Sequence, residues 1–319
     1  MTSPSHQKPQ KSGLIFGIDG GGARTVAWLA TASAPAEVLG RGFSGPSNQR
    51  AVGPKVAMAH LNEAVQAAFD DAGIDRQTVD AACLGLAGAE RPSDQDVIKQ
   101  WAEEARLTLK LRVVTDVLPL LYVGGSDGSG VVLIAGTSSM AWGRNDHNET
   151  ARSGGWGYLF GDEGSEFAIG RAILQAVAWS IDGRGPTTGL IDDVCQKLGI
   201  SSATEIVGAV YSNEIPRAVI AGLAPLAFDA AERLDVISCD IITTAARELA
   251  ALVISVARRL RLQDQLALFF AGTLPREREK FCHMIVDAIS SHSVRVVATH
   301  VVAEPAEGAL ALARQIAVS

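Results

Sequence analysis

The amino-acid sequence predicts an α/β protein built from two duplicated lobes. Short apolar runs that are typical of buried strands alternate with longer segments in which apolar residues recur at helical spacing. A strand pair around a glycine-rich turn near the start of the chain has a counterpart further along. The length of 319 residues agrees with two lobes, because a single domain usually takes about 100 to 200 residues.

The first lobe is predicted to contain four strands and two helices. Its first strand pair encloses Asp19 and three glycines, and its first helix is indicated by apolar residues at every fourth position from Leu61 to Phe69. Ser93 and Asp96 form a capping-box pattern that predicts the start of the second helix. The strands are expected at residues 14–18, 25–30, 83–87 and 111–114, and the helices from Pro54 and from Ser93.

The second lobe is predicted to begin at a strand over residues 131–135, which breaks at a turn of small residues and resumes at 140–142. This pair matches the first one, since Met-Ala-Trp at 140–142 corresponds to Val-Ala-Trp at 26–28. The remaining elements are expected to be strands 266–270 and 294–298 and helices 165–180, 241–260, 276–289 and 306–317.

These elements suggest the domain boundaries. We expect residues 1–12 to be a flexible tail, residues 13–117 to form the N-terminal lobe and residues 118–304 to form the C-terminal lobe. The closing segment 305–319 is expected to return to the N-terminal lobe. Apolar helices after Ile206 offer a surface for a homodimer.

Composition excludes several classes of protein. Twenty-eight Lys and Arg against 35 Asp and Glu give a net charge of −7, so no basic surface for nucleic acid is expected. Hydrophobic residues make up 47% of the chain, yet no run reaches the roughly 18 apolar residues of a membrane helix. The four cysteines form no CxxC pair, which argues against a zinc ribbon or a secreted disulfide framework. We therefore expect a soluble, cytoplasmic protein without a membrane partner.

Three predicted strands end in turns of small residues. The turns are Asp19-Gly20-Gly21-Gly22, Gly136-Thr137-Ser138-Ser139 and Gly272-Thr273. Glycine lets backbone N–H groups approach phosphate oxygens, and the hydroxyls of threonine and serine add donors without bulk. Neither GxxxxGK[ST] nor a GxGxxG after the first strand is present, so the pattern is not that of a Walker or a dinucleotide-binding loop. Together the three turns predict a nucleotide held between the two lobes.

Five motifs resemble the N-acetylglucosamine kinase family, which belongs to the actin, sugar kinase and heat-shock chaperone ATPase superfamily. They are GIDGGGART from Gly17, GPSN from Gly45, VTDVLPLL from Val114, IAGTSS from Ile134 and GGWGYLFGDEGS from Gly154. The resemblance implies two actin-like, ribonuclease H-like lobes around a cleft for nucleotide and sugar. It also implies ATP and Mg²⁺ as cofactors, and transfer of the γ-phosphate to the 6-hydroxyl of N-acetylglucosamine or a related amino sugar such as glucosamine.

The resemblance also implies a role for each motif residue. Asp19 is expected to hold Mg²⁺, directly or through water, and Asp116 is expected to be the base that accepts the proton of the sugar hydroxyl. The residues expected to bind the nucleotide are Gly20, Gly21, Gly22, Thr25, Gly136, Thr137, Ser138, Gly272 and Thr273. The residues expected to bind the sugar are Asn48, Asp116, Thr137, Ser153, Gly155 and Asp162.

Structural alternatives exist for several of these residues. Asp19 could merely cap its own turn, and Asp116 could be the N-cap of a helix. Asn48 and Asp162 could be ordinary turn residues, and Trp156 could be either a platform for the sugar ring or part of the core. The chain also departs from the family at residues 271–275, which bears on the adenosine contacts, and at residues 166–168 after GDEGS.

A second class of function shares this fold. ATPase activators of the 2-hydroxyacyl-CoA dehydratase and benzoyl-CoA reductase type carry an iron–sulfur cluster on closely placed cysteines. Cys83, Cys195, Cys239 and Cys282 are far apart in the sequence, so this alternative is the weaker one. A repressor of the related ROK group would need an N-terminal DNA-binding domain, for which we expect the dozen residues before the first strand to be too few.

Overall fold

The computed structural model of the protein describes residues 13–212 and 216–318. They form two compact units, one of residues up to Asp127 and from Glu304 onward, the other of Gly128–Ala303. The sequence placed this boundary after residue 117. The difference arises because a 3₁₀ segment, Pro119–Gly125, packs against the C-terminal helix, Pro305–Val318, and so stays with the first unit. The expected flexible tail, residues 1–12, lies outside the described residues.

The first unit contains a five-stranded mixed sheet with helices packed against it. In space the strands run β3-β2-β1-β4-β5; β1 pairs antiparallel with β2 and parallel with β4. The strands are β1 Leu14–Gly20, β2 Thr25–Thr31, β3 Val38–Ser44, β4 Val79–Leu86 and β5 Thr108–Val114. The helices before the 3₁₀ segment are α1 Gln49–Val52, α2 Pro54–Ala72 and α3 Pro92–Glu104.

Local sequence explains how α2 begins, ends and packs. Pro54 occupies the first turn, where its missing N–H costs no hydrogen bond, and Gly73 ends the helix in the left-handed conformation with φ of 64°. The face predicted from the four-residue spacing is buried, and Phe69 meets Phe16 of β1 edge to face at 5.3 Å between ring centroids. These contacts anchor α2 to the sheet.

Strand β3 was not predicted from the sequence, and it contains two glycines, Gly40 and Gly42. A Cβ atom at Gly40 would lie 2.2 Å from the carbonyl oxygen of Ala68, and one at Gly42 would lie 1.9 Å from that of Ala64. Both acceptors belong to α2, so glycine is needed here for a close helix–strand approach and not for a turn. The predicted Ser93 cap is also wrong: Arg91 is the N-cap of α3 and no side chain caps it.

The second unit repeats the topology of the first. Its sheet runs β8-β7-β6-β9-β10, with β6 antiparallel to β7 and parallel to β9. The pattern of antiparallel and parallel pairs is that of β3-β2-β1-β4-β5, which confirms the predicted duplicated α/β fold. The strands are β6 Gly130–Ala135, β7 Ser139–Arg144, β8 Thr150–Gly154, β9 Leu266–Ala271 and β10 Val296–Val301. The cleft expected between the lobes stays a prediction.

Helices surround this second sheet. The helix predicted over residues 241–260 is present as α9, Val236–Arg259, and its apolar side lies in the hydrophobic core. The helix predicted over 276–289 is divided at Arg278, which has a non-helical φ of −131°. The helices are α4 Glu166–Ile181, α5 Leu190–Leu198, α6 Ile206–Tyr211, α7 Pro216–Ala221, α8 Ala224–Glu232, α9 Val236–Arg259, α10 Thr273–Glu277 and α11 Glu279–Ser290. Within the described residues, none of the helices is long and apolar enough to span a membrane.

The C-terminal helix packs against the first unit through two glycines. A Cβ atom at Gly17 of β1 would lie 2.4 Å from the backbone nitrogen of Leu310. One at Gly308 of the helix would lie 1.8 Å from the carbonyl oxygen of Pro119. Both distances are far below a van der Waals contact, so backbone approaches backbone on both sides of the helix.

Gly308→Ala is expected to destabilise the protein. The added methyl group must displace the Pro119 carbonyl, and such overpacking costs about 1–3 kcal/mol even after the better helix propensity of alanine is counted. Urea denaturation measures the loss. Gly208→Ala is the matched control, because Gly208 also lies in a helix but has open space around its Cβ position. Equal midpoints for both variants would contradict the close approach at Gly308.

Candidate active site

Two carboxylates lie at one edge of the sheet in the first unit. Asp19 is near the end of β1 and Asp116 follows the end of β5, and the parallel strands β1, β4 and β5 deliver both to the same edge. Gly85 of β4 pairs with Asp19 on one side and with Val114 on the other. A Cβ atom at Gly85 would lie 2.6 Å from Cγ of Pro119, so glycine is what allows the Asp116 turn to fold over the strand.

Asp19 is held in an environment that disfavours its charge. Burial raises its pKa to about 7, the negative charges of Asp116 and Glu304 add to the increase, and Arg24 opposes it. The Arg24 guanidinium donates to Glu304 at 3.2 Å. Arg24, to which the sequence assigned no role, thus joins the carboxylate group. The negative charges of Asp116 and Glu304 are thus close enough to Asp19 to disfavour its ionised form.

Asp116 also has a raised pKa, mainly through burial and secondarily through the charge of Glu90. Its own backbone N–H and that of Val117 oppose the shift. The alternative that Asp116 caps a helix is wrong, because the following 3₁₀ segment begins after Leu118 and no side chain caps it. The Asp116 carboxylate is therefore not used to cap a helix.

Asn48 is partly engaged in local structure. Its Oδ1 accepts from the backbone N–H of Arg50 at 3.1 Å and so caps α1. A Cβ atom at Gly88, which has φ of 82°, would lie only 2.5 Å from this Oδ1. The cap uses only the side-chain oxygen, so the amide NH₂ group can still donate to a ligand.

The glycine turn after β1 is organised by the GPSN segment. The carbonyl of Gly21 accepts from the backbone N–H groups of Ser47 and Asn48 at 3.1 and 3.2 Å. A Cβ at Gly20 would lie 2.1 Å from the Ser47 hydroxyl, whereas the position at Gly22 is open. Gly20 is thus required for packing, and Gly22 is exposed and accessible to a ligand.

Thr25 was expected to donate to phosphate, but the structure buries it completely. Its hydroxyl donates to the carbonyl of Gly45 at 2.7 Å, which ties the start of β2 to the GPSN segment. A hydroxyl has only one hydrogen to donate, so Thr25 supports the site from inside and presents no donor to a ligand here.

In the second unit, the two predicted threonine turns come together. The Thr137 hydroxyl donates to Glu166 at 3.3 Å, and the Thr273 hydroxyl donates to the other carboxylate oxygen of Glu166. A Cβ at Gly136 would lie 3.2 Å from the Thr273 hydroxyl oxygen, and Gly272 has φ of 100°. Ser138 is exposed on the same turn. The turns after β6 and β9 therefore form one cluster, as their matching sheet positions imply.

Asp162 is buried, with 1% of its surface exposed, and both of its oxygens are engaged. Oδ1 accepts from the backbone N–H of Ser139 at 3.3 Å, and Oδ2 accepts from the Arg217 guanidinium at 3.0 Å. It is more than a turn residue, and a sugar contact would use its remaining lone pairs. Arg217 itself stacks over Tyr158, 5.0 Å from the ring centroid.

The other expected sugar residues lie around the end of β8. Ser153 is half-buried in that strand opposite Ala141, and Gly155 follows it with φ of 71° against the side chain of Met140. Trp156 is 62% exposed, so it is not part of the core, and Arg152 lies over its ring at 5.2 Å. The platform alternative for Trp156 stays open.

Sequence reasoning missed four charged residues that shape these clusters. Glu90 and Glu304 influence the two aspartates, Glu166 bridges the threonines, and Arg217 binds Asp162. Of these four residues, only Glu166 stood out in the sequence, because the chain departs from the family pattern there, directly after the GDEGS motif. Among residues 13–212 and 216–318, no three His, Cys, Asp or Glu side chains are grouped so that they alone could hold a metal ion.

Known proteins give these clusters a context. The model of the BadF/BadG/BcrA/BcrD ATPase family matches residues 16–313. The chain belongs to this family. The chain is 33% identical to the N-acetylmuramic acid/N-acetylglucosamine kinase of Clostridium acetobutylicum over 251 residues, which are 79% of this chain and 81% of the relative. N-acetyl-D-glucosamine kinase of Dictyostelium discoideum is 32% identical over 272 residues, 81% of this chain and 84% of the relative. The resemblance predicted from the motifs is confirmed.

Solved structures agree on the fold of this BadF/BadG/BcrA/BcrD family member. A Chromobacterium violaceum protein, provisionally named an N-acetylglucosamine kinase, superposes with a TM-score of 0.69 at 25% identity and covers 95% of this chain and 99% of its own. A ROK family glucokinase of Streptomyces griseus superposes with a TM-score of 0.56 at 17% identity, over 95% of this chain and 100% of its own. The glucokinase likeness shows a shared fold alone.

Proposed function

We propose that the protein is an ATP-dependent kinase that phosphorylates the 6-hydroxyl of N-acetylglucosamine or a related amino sugar. The observation that carries the proposal is the pair of half-buried carboxylates, Asp19 and Asp116, which lie at one sheet edge and have raised pKa values. Phosphoryl transfer needs one acidic side chain on the metal side and another that accepts a proton. The names of the two curated relatives supply the substrate class.

Asp116 is the proposed base. The sugar 6-hydroxyl donates its proton to the Asp116 carboxylate as its oxygen attacks the γ-phosphorus of ATP, and the bond to the leaving ADP oxygen breaks. The transition state of this reaction is loose, so the carboxylate mainly orients the nucleophile. A raised pKa suits the role, because the proton is held more firmly once it has been transferred.

Mg²⁺ fits the acidic group around Asp19. Mg²⁺ usually keeps several waters and takes only one or two carboxylates from the protein, with the substrate phosphates completing its shell, so a cage of three acidic residues is not required. Asp19, supported by Glu304, would hold the ion, which would neutralise charge on the β- and γ-phosphates. Gly20, Gly21 and Gly22 form the adjoining turn, and Gly136, Thr137, Ser138, Gly272 and Thr273 are the proposed phosphate contacts in the second unit.

The sugar is proposed to contact Asn48 and Asp116 in the first unit and Thr137, Ser153, Gly155 and Asp162 in the second. Amide donors and carboxylate acceptors suit a ring that bears neighbouring hydroxyls. The Asn48 NH₂ group is the most clearly available of these donors, because its oxygen alone is used by the cap. We keep a homodimer and a cytoplasmic location as predictions from the sequence.

A coupled ADP-release assay tests this function. The panel contains glucose, glucosamine, N-acetylglucosamine and N-acetylmuramic acid, each with ATP and Mg²⁺. We expect ADP release to be stimulated by at least one N-acetylated amino sugar and phosphate to appear on its 6-oxygen in the product spectrum. ATP hydrolysis that no sugar stimulates would contradict the proposal and favour the class of ATPase activators.

Asn48→Ala is expected to raise the KM for the sugar about tenfold or more, while the KM for Mg·ATP changes little. The reason is the loss of one amide donor that a sugar hydroxyl would otherwise meet. Asn48→Ser is the matched comparison, since serine also caps helices and separates the cost of the lost cap on α1 from the lost ligand contact. Steady-state kinetics with each substrate varied in turn give the answer. An unchanged sugar KM in both variants would remove Asn48 from the sugar site.

A further inference from the structure

Glu166 occupies a position that the proposed nucleotide phosphates would need. Its two carboxylate oxygens accept from the hydroxyls of Thr137 and Thr273, which lie on different turns of the second unit. Its backbone N–H donates to the carbonyl of Gly136 at 2.8 Å, which places the residue directly against the first of these turns. An anionic group thus sits between the two threonines proposed to receive anionic phosphate oxygens.

The two uses of the threonines exclude each other. Each hydroxyl has a single hydrogen, so a threonine that donates to Glu166 cannot at the same time donate to a phosphate oxygen. Binding of a phosphate therefore requires both hydroxyls to turn away from Glu166, and it brings two anions close together. Their repulsion is strong at a partly shielded site.

Local structure fixes Glu166 in this position. It is the first residue of α4, and the preceding Ser165 caps the helix by accepting from the backbone N–H of Ala168 at 3.2 Å. A carboxylate is favourable in the first turn of a helix, because the helix dipole is positive there. The side chain is half-buried, whereas both threonines are exposed. The carboxylate is thus stable without the nucleotide.

We infer that Glu166 is an intramolecular competitor of the nucleotide phosphates. Its carboxylate takes the hydroxyl donors of Thr137 and Thr273 when no nucleotide is bound, and a nucleotide must displace it. This inference rests on the proposed assignment of the two threonines to the nucleotide. It gives the protein a preference for Mg²⁺-complexed over metal-free nucleotide, since Mg²⁺ offsets part of the phosphate charge that Glu166 repels.

Calorimetric titration with ADP tests the inference without any phosphoryl transfer. We expect Glu166→Ala to bind ADP in EDTA about tenfold or more tightly than the wild-type protein, because the competing charge is gone. Glu166→Gln should shift the affinity in the same direction, since it removes the charge and keeps the size. With Mg²⁺ present, the difference between variant and wild type should become smaller. Glu232→Gln, an exposed residue at the end of α8, is the control with the same change of charge.

The outcomes separate this inference from the proposed function. Unchanged ADP binding by folded Glu166→Ala and Glu166→Gln overturns the competitor role. Weaker ADP binding also overturns it, because it would mean that the carboxylate assists the nucleotide. Thr273→Val checks the assignment beneath it and should weaken ADP binding. If Thr273→Val weakens binding while the Glu166 variants do not tighten it, the nucleotide site stands and the inference fails. If the wild-type protein binds no ADP with or without Mg²⁺, the proposed function fails.

Discussion

Asp116→Asn is expected to lower kcat about 10² to 10⁴-fold while the Kd values for ATP and sugar stay within a few-fold of the wild type. Asparagine keeps the size of the side chain and its capacity for hydrogen bonds, but it cannot take up a proton. The lost interaction is thus made only as the sugar oxygen attacks, and the loss appears in kcat. Single-turnover kinetics together with equilibrium binding of both substrates measure the two quantities separately.

The pH dependence of the wild-type protein provides a second readout for Asp116. A base works only in its deprotonated form, and burial raises the pKa of this carboxyl above its ordinary value of 3.8. At saturating Mg·ATP, kcat should therefore fall on the acid side at a higher pH than for an ordinary aspartate, and Asp116→Asn should lose this acid limb of kcat. Asp75→Asn, an exposed residue after α2, is the matched control. A near-normal kcat for Asp116→Asn would remove this residue from the mechanism.

Asp19→Asn is expected to lower kcat/KM for Mg·ATP about 10²-fold or more and to stabilise the nucleotide-free protein at pH 8. The first effect follows from the loss of the proposed metal carboxylate. The second follows from the pKa of about 7, which shows that the folded protein holds this charge at a cost. A variant that loses activity and gains stability differs from one that is merely misfolded.

The sign of the stability effect can be worked out. Between the ordinary pKa of 3.8 and the folded value of about 7, Asp19 is protonated in the folded chain and ionised in the unfolded chain. Its contribution to stability therefore falls as pH rises through this window, and the full penalty, at most about 4 kcal/mol, is present above pH 7. Asn should relieve it at pH 8 and change little at pH 4. Thermal melting at both pH values tests this, and equal shifts would contradict the buried charge.

The same ionisation links the nucleotide to pH. A metal ligand must lose its proton, so the apparent KM for Mg·ATP should rise as pH falls below about 7, and Asp19→Asn should abolish that dependence. An apparent KM that stays flat between pH 8 and pH 6 in the wild-type protein would place the metal elsewhere.

Sequence patterns predicted the parts of the molecule that depend on local order. The family motifs singled out Asp19 and Asp116, and in the structure the parallel strands β1, β4 and β5 bring both to one edge of the sheet. The duplication was visible because each unit opens with an apolar strand pair around a turn of small residues. Strand β3 was not predicted. Gly40 and Gly42 are required there because the backbone of α2 packs against them, and this contact cannot be recognised from the sequence around the two glycines.

Side chains that meet through the tertiary fold were beyond prediction. Glu304 is far from Asp19 in the sequence and reaches it only because the chain returns to the first unit at its end. Thr25 was assigned to the nucleotide because it belongs to the motif GIDGGGART. A strand residue can point to either face of its sheet, and here the Thr25 hydroxyl points to Gly45. Arg217 carries no motif and binds Asp162, which lies in the loop before α4, from α7.

The return of the C-terminal helix has a consequence for synthesis of the chain. Gly17 of β1 and Pro119 form the surface that the helix covers, and both are translated long before Gly308 leaves the ribosome. The second unit is continuous in sequence and can fold as soon as it has emerged, in keeping with the way in which domains fold as units during synthesis. The first unit must wait, with an apolar side of β1 uncovered, until the helix Pro305–Val318 has emerged. A stop codon or a ribosomal stall shortly before residue 305 would thus leave a folded second unit joined to an incomplete first one, a natural target for chaperones and proteases.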